Sequence, residues 1–351
     1  MGEKVRIGFV GVGNMGQCAH LKNYATIPDC EIVALAELRP VLARRVAEKY
    51  GVPRVYTEAA DMLANEKLDG IVAAQPFWQH GRILPELYQA GVPVFSEKPL
   101  AASLQVGEKL VEALRGGRSW HMVGYHKRND PATVYARREI ARLRETGELG
   151  NLTYVRISMP PGDFAAGGFT DLIRTDEPRP DLPGDPAPSD LDADGHKQFH
   201  TFVNYYSHQT NLLRFLLGES YRVTHADRSG FLLVAESASG ATGVIELGAY
   251  RTTIDWQESA LIAFQRGYLK LDLPPPLASN RPGRVEVFRD PGDGVTPTQM
   301  VPQLPPDGAM RQQALNFVRA IRGDVEPSCQ APEALEDLRV ARDFLRLRLG
   351  V

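Results

Sequence analysis

Short apolar runs recur up to about residue 123, as VRIGFV, EIVALAE, DGIVAA, VPVFSE and SWHMVG, and the stretches between them carry apolar residues at helical spacing. Strand-length runs alternating with helices are the pattern of a parallel sheet covered on its faces. The punctuation agrees. Pro40 suits the first turn of a helix and Gly51 its end, and Ser103 can cap a helix that puts Leu104, Gly107, Leu110, Val111 and Leu114 on one face.

Beyond Asp130-Pro131 the rhythm changes. One helix leads to a strand at Thr153 to Ser158, and residues 160–195 are then crowded with Pro, Gly and Asp, which predicts a long loop. Helical spacing returns from Phe202 to Leu217. The runs YRVTHAD, FLLVAES, TGVIELGAY and ALIAFQ follow without helices between them, so they are neighbouring strands of a largely antiparallel sheet. Two terminal helices are expected. One places Met310, Ala314, Phe317 and Ile321 on a face before Gly323, and the other starts near Pro332.

A chain of 351 residues fits two domains better than one core. With 43% hydrophobic and 24% charged residues, both domains have enough apolar surface to pack, which excludes disorder as the main state. Forty basic against 43 acidic residues give a net charge of -3 with no long run of either sign, so nucleic acid is not an expected partner. Cys18, Cys30 and Cys329 are too few and too scattered for a disulfide framework. The start MGEKVRIGFV enters a strand at once and lacks the regions of a signal peptide, and no run reaches the ~18 apolar residues of a membrane span. The expected address is cytoplasmic, with no membrane partner.

The first strand runs into Gly11-Val12-Gly13-Asn14-Met15-Gly16 and then a helix. A GxGxxG at that junction is a dinucleotide fingerprint: Gly11 permits the turn, Gly13 lets a pyrophosphate approach the backbone, and Gly16 allows close helix packing. The amides of Asn14 and Met15 can hold phosphate oxygens. Glu37 ends the second strand, where a carboxylate accepts the adenosine ribose hydroxyls and repels a 2'-phosphate. Arg39 could instead pair with such a phosphate, so NAD is expected, with NADP as the alternative.

These signals make the chain α/β. A Rossmann NAD(P)-binding domain is expected over 1–124, and an α+β domain with a large, mainly antiparallel open sheet over 125–330. A terminal helix at 331–351 should return to the first domain. Ligands of such sheets bind at the C-terminal ends of the strands, where Ser96-Glu97-Lys98-Pro99 follows Pro93-Val94-Phe95. Side chains alternate along a strand, so Glu97 and Lys98 should face opposite ways.

GVGNMG, Glu37, the segment Gln75-Pro76 to His80, and EKP together resemble the Gfo/Idh/MocA family of sugar and cyclitol dehydrogenases. The resemblance implies that Lys98 sits beside the reacting carbinol and the nicotinamide, as substrate positioner and member of a proton relay. It implies cofactor contacts for Gln75, Pro76, His80 and Glu97, although His80 reads equally well as a packing residue. The segment Gly124 to Pro131, with Arg128 as a substrate candidate, is similar to the family's bridge between domains.

The family's second motif is Asp-x-x-x-His on the helix that leads into its large sheet. Here it is Asn204-Tyr205-Tyr206-Ser207-His208: the histidine is matched and the aspartate is not, and Asn211 stands where a second Asp is frequent. His208 is the candidate base. Asn204 can hydrogen-bond to it or to substrate but supplies no charge. The loss of two negative charges points to an anionic or unusual substrate, or to different chemistry after hydride transfer.

His196, His200, Asn204 and His208 recur every four residues and form one polar stripe if the helix starts early. HKQFH lacks the glutamate of HExxH, so no metal site is expected. Trp78 and Trp256 read as core. The expected activity interconverts a secondary alcohol and a ketone on a polyol, sugar or cyclitol. Its rivals are redox-assisted epimerisation or elimination with held NAD, and a non-catalytic cofactor-binding regulator. An open sheet with helices on one face leaves its other face to be covered, which implies association, and the resemblance implies a homodimer or homotetramer.

Overall fold

Elements follow one another in the computed structural model, which describes residues 3–188 and 190–350, as strands β1 (Val5–Val10), β2 (Cys30–Ala36), β3 (Arg54–Tyr56), β4 (Gly70–Ala73), β5 (Val94–Ser96) and β6 (His121–Val123), with helices α1 (14–24), α2 (Pro40–Tyr50), α3 (Ala59–Asn65), α4 (His80–Gln89) and α5 (Leu104–Leu114) between them. Helix α6 (Pro131–Thr146), strand β7 (Leu152–Ser158) and helix α7 (Ala193–Leu217) come next. Strands β8 (Tyr221–Ala226), β9 (Leu232–Ser237), β10 (Thr242–Glu246), β11 (Glu258–Phe264), β12 (Gly267–Leu273), β13 (Arg284–Arg289) and β14 (Thr298–Met300) precede helices α8 (Ala309–Ile321) and α9 (Ala331–Leu349).

Contacts divide the chain into two units: one of residues 1–125, 167–204 and 313–339, the other of residues 126–166, 205–312 and 340–351. The first holds a six-stranded sheet in the order β3-β2-β1-β4-β5-β6, parallel throughout. Its central strands are apolar on both faces because helices cover both. The capping signals act as their residue types dictate. Ser103 accepts the Val106 amide at the start of α5, Pro40 opens α2, and Gly51 closes α2 in the left-handed region at φ 67°.

Strand β3, short and partly exposed at the sheet edge, has too little apolar pattern to be predicted. Helix α8 supplies Ala314, Phe317 and Val318 to the same core as Ile7, Phe9 and Phe95. The first half of α9 lies against α5, where a side chain at Gly107 would meet Leu335 and Leu338. The sheet edge is continued by the Val123 amide donating to Cys329 O at 2.9 Å.

The second unit holds an eight-stranded sheet, β14-β13-β12-β11-β7-β10-β9-β8, antiparallel except where β10 runs parallel to β7. Alternation along β11 between buried and half-buried positions marks one packed face. Leu213 of α7 packs where a Cβ on Gly243 of β10 would stand. Strands β13 and β14 lie beyond the runs that the alternating pattern identifies. The segment 167–188 groups with the parallel sheet, not with the second unit as its place in the chain predicts. Helical spacing predicts α7 from Phe202, but it begins at Ala193, where Asp192 accepts the Gly195 amide at 2.7 Å. That side-chain cap starts the helix before any apolar repeat is visible.

Candidate active site

The C-terminal ends of β1, β2, β4 and β5 carry most of the predicted residues. Gly11 turns the chain at φ 82° while its amide donates to Ala36 O at 2.8 Å. Gly16 leaves no room, since a Cβ there would lie 2.7 Å from Gly11 O. Gly13 is open: an added Cβ would meet nothing nearer than Arg39 Nη2 at 4.0 Å. Asn14 and Met15 begin α1, with Asn14 exposed. The turn is therefore tight where the backbone packs on itself and empty where a ligand would approach. Gln75 lies over the same turn, its Nε2 3.2 Å from the Cβ position of Gly11, and its Oε1 is buried without a hydrogen-bond partner among the described residues. An open glycine and an orphaned acceptor beside it fit a bound dinucleotide. Pro76 is exposed next to it.

Glu37 is buried, and its Oε2 accepts the Val12 amide at 3.0 Å. Its Oε1 accepts Arg39 Nε at 2.7 Å, so Glu37 and Arg39, rivals in the sequence, form an ion pair. Two residues apart across the strand end, they can reach each other, and the carboxylate neutralises the guanidinium that would otherwise face a phosphate.

Within α1, Gly16–Leu21 is a π-helix, in which the Lys22 amide donates to Gln17 O. Such turns often accompany functional sites. This one carries His20, whose Nε2 stands 2.6 Å from Glu97 Oε1. Glu97 Oε2 accepts the Lys98 amide at 3.2 Å. Burial raises the Glu97 carboxyl, but the His20 hydrogen bond and charge, with Lys98, outweigh it and hold Glu97 below the usual carboxylate range. Glu97 thus faces inward as an anion, and Lys98 points the other way, its Nζ donating to Asn204 O of α7 at 2.5 Å.

His80 is fully buried and its Nδ1 donates to Leu100 O at 3.0 Å, so it supports the Glu97–Leu100 segment. Burial, the largest influence, lowers its pKa and keeps the ring neutral. A second buried histidine supports the segment from below. Tyr88 donates to His121 Nδ1 at 2.8 Å, and His121 Nε2 donates to Ser96 Oγ at 2.8 Å, which in turn donates to Glu97 O. Burial, followed by the nearby His80, pushes His121 down to about 3.

The early start of α7 places His196, His200 and Asn204 on one face of its first half. His200 packs on Phe77 at 4.7 Å and on Trp78 at 5.9 Å between ring centroids. Burial, then His196, lowers its pKa. Trp78 is 43% exposed, which corrects its reading as core. It sits on the short turn after β4, outside the sheet, where α7 covers only part of the ring. Among the described residues no three His, Cys, Asp or Glu side chains gather as a metal site would require.

In the second unit, His208 stands one turn beyond Asn204 on α7, and its ring meets His126 edge-on at 4.5 Å between centroids. Arg128 is buried, donates from Nε to Asn211 Oδ1, and lies over the Phe215 ring at 4.9 Å. These contacts give Arg128 and Asn211 a structural part in that unit. Trp256 is half-buried and donates to Glu258, which also accepts buried Lys127.

Sequence reasoning missed Gln17, His20, His121, His126 and Glu177. His20 meets Glu97 across 77 residues, and only the polar side chain on the inward face of α1 hints at it. The loop after β7 is also tied down. Gln17 exchanges hydrogen bonds with both Ile173 N and Ile173 O, Lys49 pairs with Asp171, Glu177 accepts the Val41 and Leu42 amides, and Asp185 accepts the Gly81 amide.

Residues 5–125 match the model of the Gfo/Idh/MocA oxidoreductase family, described as having an NAD-binding Rossmann fold. Over those residues the chain is similar to this family. An inositol 2-dehydrogenase of Rubrobacter xylanophilus is 33% identical over 141 residues, 40% of each chain. The match therefore spans less than half the length of this relative. An uncharacterized oxidoreductase of Bacillus subtilis is 23% identical over 97% of this chain and 94% of its own. A putative NADPH-dependent oxidoreductase from Desulfitobacterium hafniense shares the fold, with a TM-score of 0.77, 14% identity, and coverage of 99% of this chain and 96% of that one. The Gfo/Idh/MocA model ends at residue 125, so it covers the glycine turn, Glu37 and EKP but not α7. No helix among the described residues is long and apolar enough to cross a membrane.

Proposed function

We propose that the chain is an NAD(P)-dependent dehydrogenase that interconverts a secondary alcohol and a ketone on a sugar, sugar derivative or cyclitol, with NAD the preferred cofactor. One observation carries the reading: the Lys98 ammonium stands at the strand ends that bear the glycine turn, its backbone fixed by Glu97 and its Nζ directed to Asn204 O of α7. When bound, the nicotinamide would accept or return the hydride. The open backbone at Gly13 and the amides of Asn14 and Met15 would hold the pyrophosphate, and Glu37 the adenosine ribose. Lys98 orients the substrate hydroxyl. His208 takes its proton, and Asn204, one turn before it, binds substrate as a neutral amide. The inositol 2-dehydrogenase among the relatives supports the cyclitol class, and the two asparagines favour an anionic member of it.

The test is NADH formation across a panel of polyols, sugar acids and cyclitols, repeated with Lys98→Met and His208→Asn. Each variant should lose about 10²–10⁴ in turnover while retaining NADH binding. Full turnover by Lys98→Met would end the proposal. The anchored segment 171–177 favours a second reading, a redox-neutral epimerase or eliminase that retains NAD. Product without net NADH identifies that case. We further propose a homodimer or homotetramer, checked by sedimentation of the intact chain.

A further inference from the structure

We infer that Glu177 sets cofactor choice: its carboxylate stands at the start of α2, where the 2'-phosphate of NADP would bind, and so reserves the fold for NAD. The inference rests on the NAD reading above and adds a residue to it. Helix α2 begins directly after β2 and Glu37, the place where dinucleotide folds recognise the adenosine ribose and, in NADP enzymes, its phosphate. The amides of a helix start attract an anion. Here the anion is internal. Glu177 Oε1 accepts Val41 N at 2.8 Å and Oε2 accepts Leu42 N at 2.8 Å, while Thr175 Oγ1 donates to Oε2 at 3.0 Å.

Arg39, the residue next to these amides and the natural phosphate partner, is drawn into an ion pair with Glu37. Partial burial raises the Glu177 carboxyl, but the two amides, Thr175 and Arg39 hold it below the usual range, so it carries charge at neutral pH. An incoming phosphate would have to displace one carboxylate and face another. The segment is not free to drift away, because Gln17 of α1 binds Ile173 and Lys49 of α2 binds Asp171. Glu177 thus acts with Glu37 as a second acidic gate, contributed from a part of the chain about 140 residues away.

The experiment titrates full-length wild type, Glu177→Gln and Glu177→Ala with NADH and NADPH, following cofactor fluorescence, with thermal melts alongside. Wild type should bind NADH more tightly than NADPH. Both variants should gain about tenfold in NADPH affinity while NADH affinity stays within about twofold. Glu177→Gln removes the charge and keeps one of the two acceptor oxygens for α2, whereas Glu177→Ala removes both. If wild type prefers NADH and neither variant gains NADPH affinity, the Glu177 assignment fails and the NAD reading stands. Equal weakening of both cofactors would reduce Glu177 to a helix cap and overturn the inference. A wild type that favours NADPH, or binds neither cofactor, defeats the NAD reading and the gate together.

Discussion

Gly13 and Gly16, three residues apart in one motif, should fail in different ways when a methyl group is added. At Gly16 the new Cβ would lie 2.7 Å from Gly11 O and 3.4 Å from Ala74 Cβ. The first contact is with backbone in the tightest part of the turn, so the turn must open. Overpacking of this kind costs about 1–3 kcal/mol, and the unit's melting temperature should fall by roughly 2–12 °C. At Gly13 the nearest atom is Arg39 Nη2 at 4.0 Å, and the backbone is not in the left-handed region. Gly13→Ala should therefore fold within about 0.5 kcal/mol of wild type.

Binding should separate the two variants further. The Gly13 methyl would occupy the space through which a pyrophosphate reaches the amides. Losing two hydrogen bonds to a charged group, at about 1.5 kcal/mol each, weakens NADH by about a hundredfold. Thermal melts and NADH fluorescence titrations on the two variants give the four numbers needed. Wild-type NADH affinity in Gly13→Ala would refute the placement of the pyrophosphate. A wild-type melting temperature in Gly16→Ala would refute the packing argument.

Two further outcomes follow from buried polar groups. His121 titrates at about 3 when folded against 6.5 ordinarily, so the unfolded chain takes up a proton first as pH falls. Its contribution to stability is complete above about pH 6.5 and is lost toward pH 3 at up to about 1.4 kcal/mol per pH unit. Denaturant melts of wild type and His121→Gln over that range should diverge accordingly, and parallel curves would refute a neutral buried ring. Glu258 accepts Lys127, Gln209 and Trp256 in the second unit, with its own side chain fully buried. Glu258→Gln leaves the Lys127 ammonium uncompensated and should cost about 3–5 kcal/mol in urea unfolding; a loss under about 1 kcal/mol would show that the ion pair is dispensable.

Features encoded over a few adjacent residues were legible. The glycine turn, the Ser103 cap, the Pro40 start and the Gly51 end all depend on neighbours in sequence, and the parallel order follows from strand and helix alternation. Strand β3 was not legible, because three partly exposed residues carry no period. The start of α7 was hidden because Asp192 caps the helix before its apolar face begins. His20, His121 and Glu177 act on partners brought close only by folding, so their residue types alone say nothing. Trp78 shows the limit of composition: a large aromatic reads as core until the turn that carries it is placed.

The first unit is assembled from three separate stretches of chain, the last of them ending at residue 339. Phe317 of α8 is fully buried beside Phe95 and Trp120, with ring centroids 5.7 and 5.6 Å away. During synthesis, therefore, the parallel sheet leaves the ribosome long before the side chains that complete its core. It must wait, with an apolar face uncovered, until synthesis has passed Phe317. A gene fragment cut after residue 125 would express a dinucleotide fold lacking that wedge, and it should gather in inclusion bodies unless the later helices are supplied alongside it.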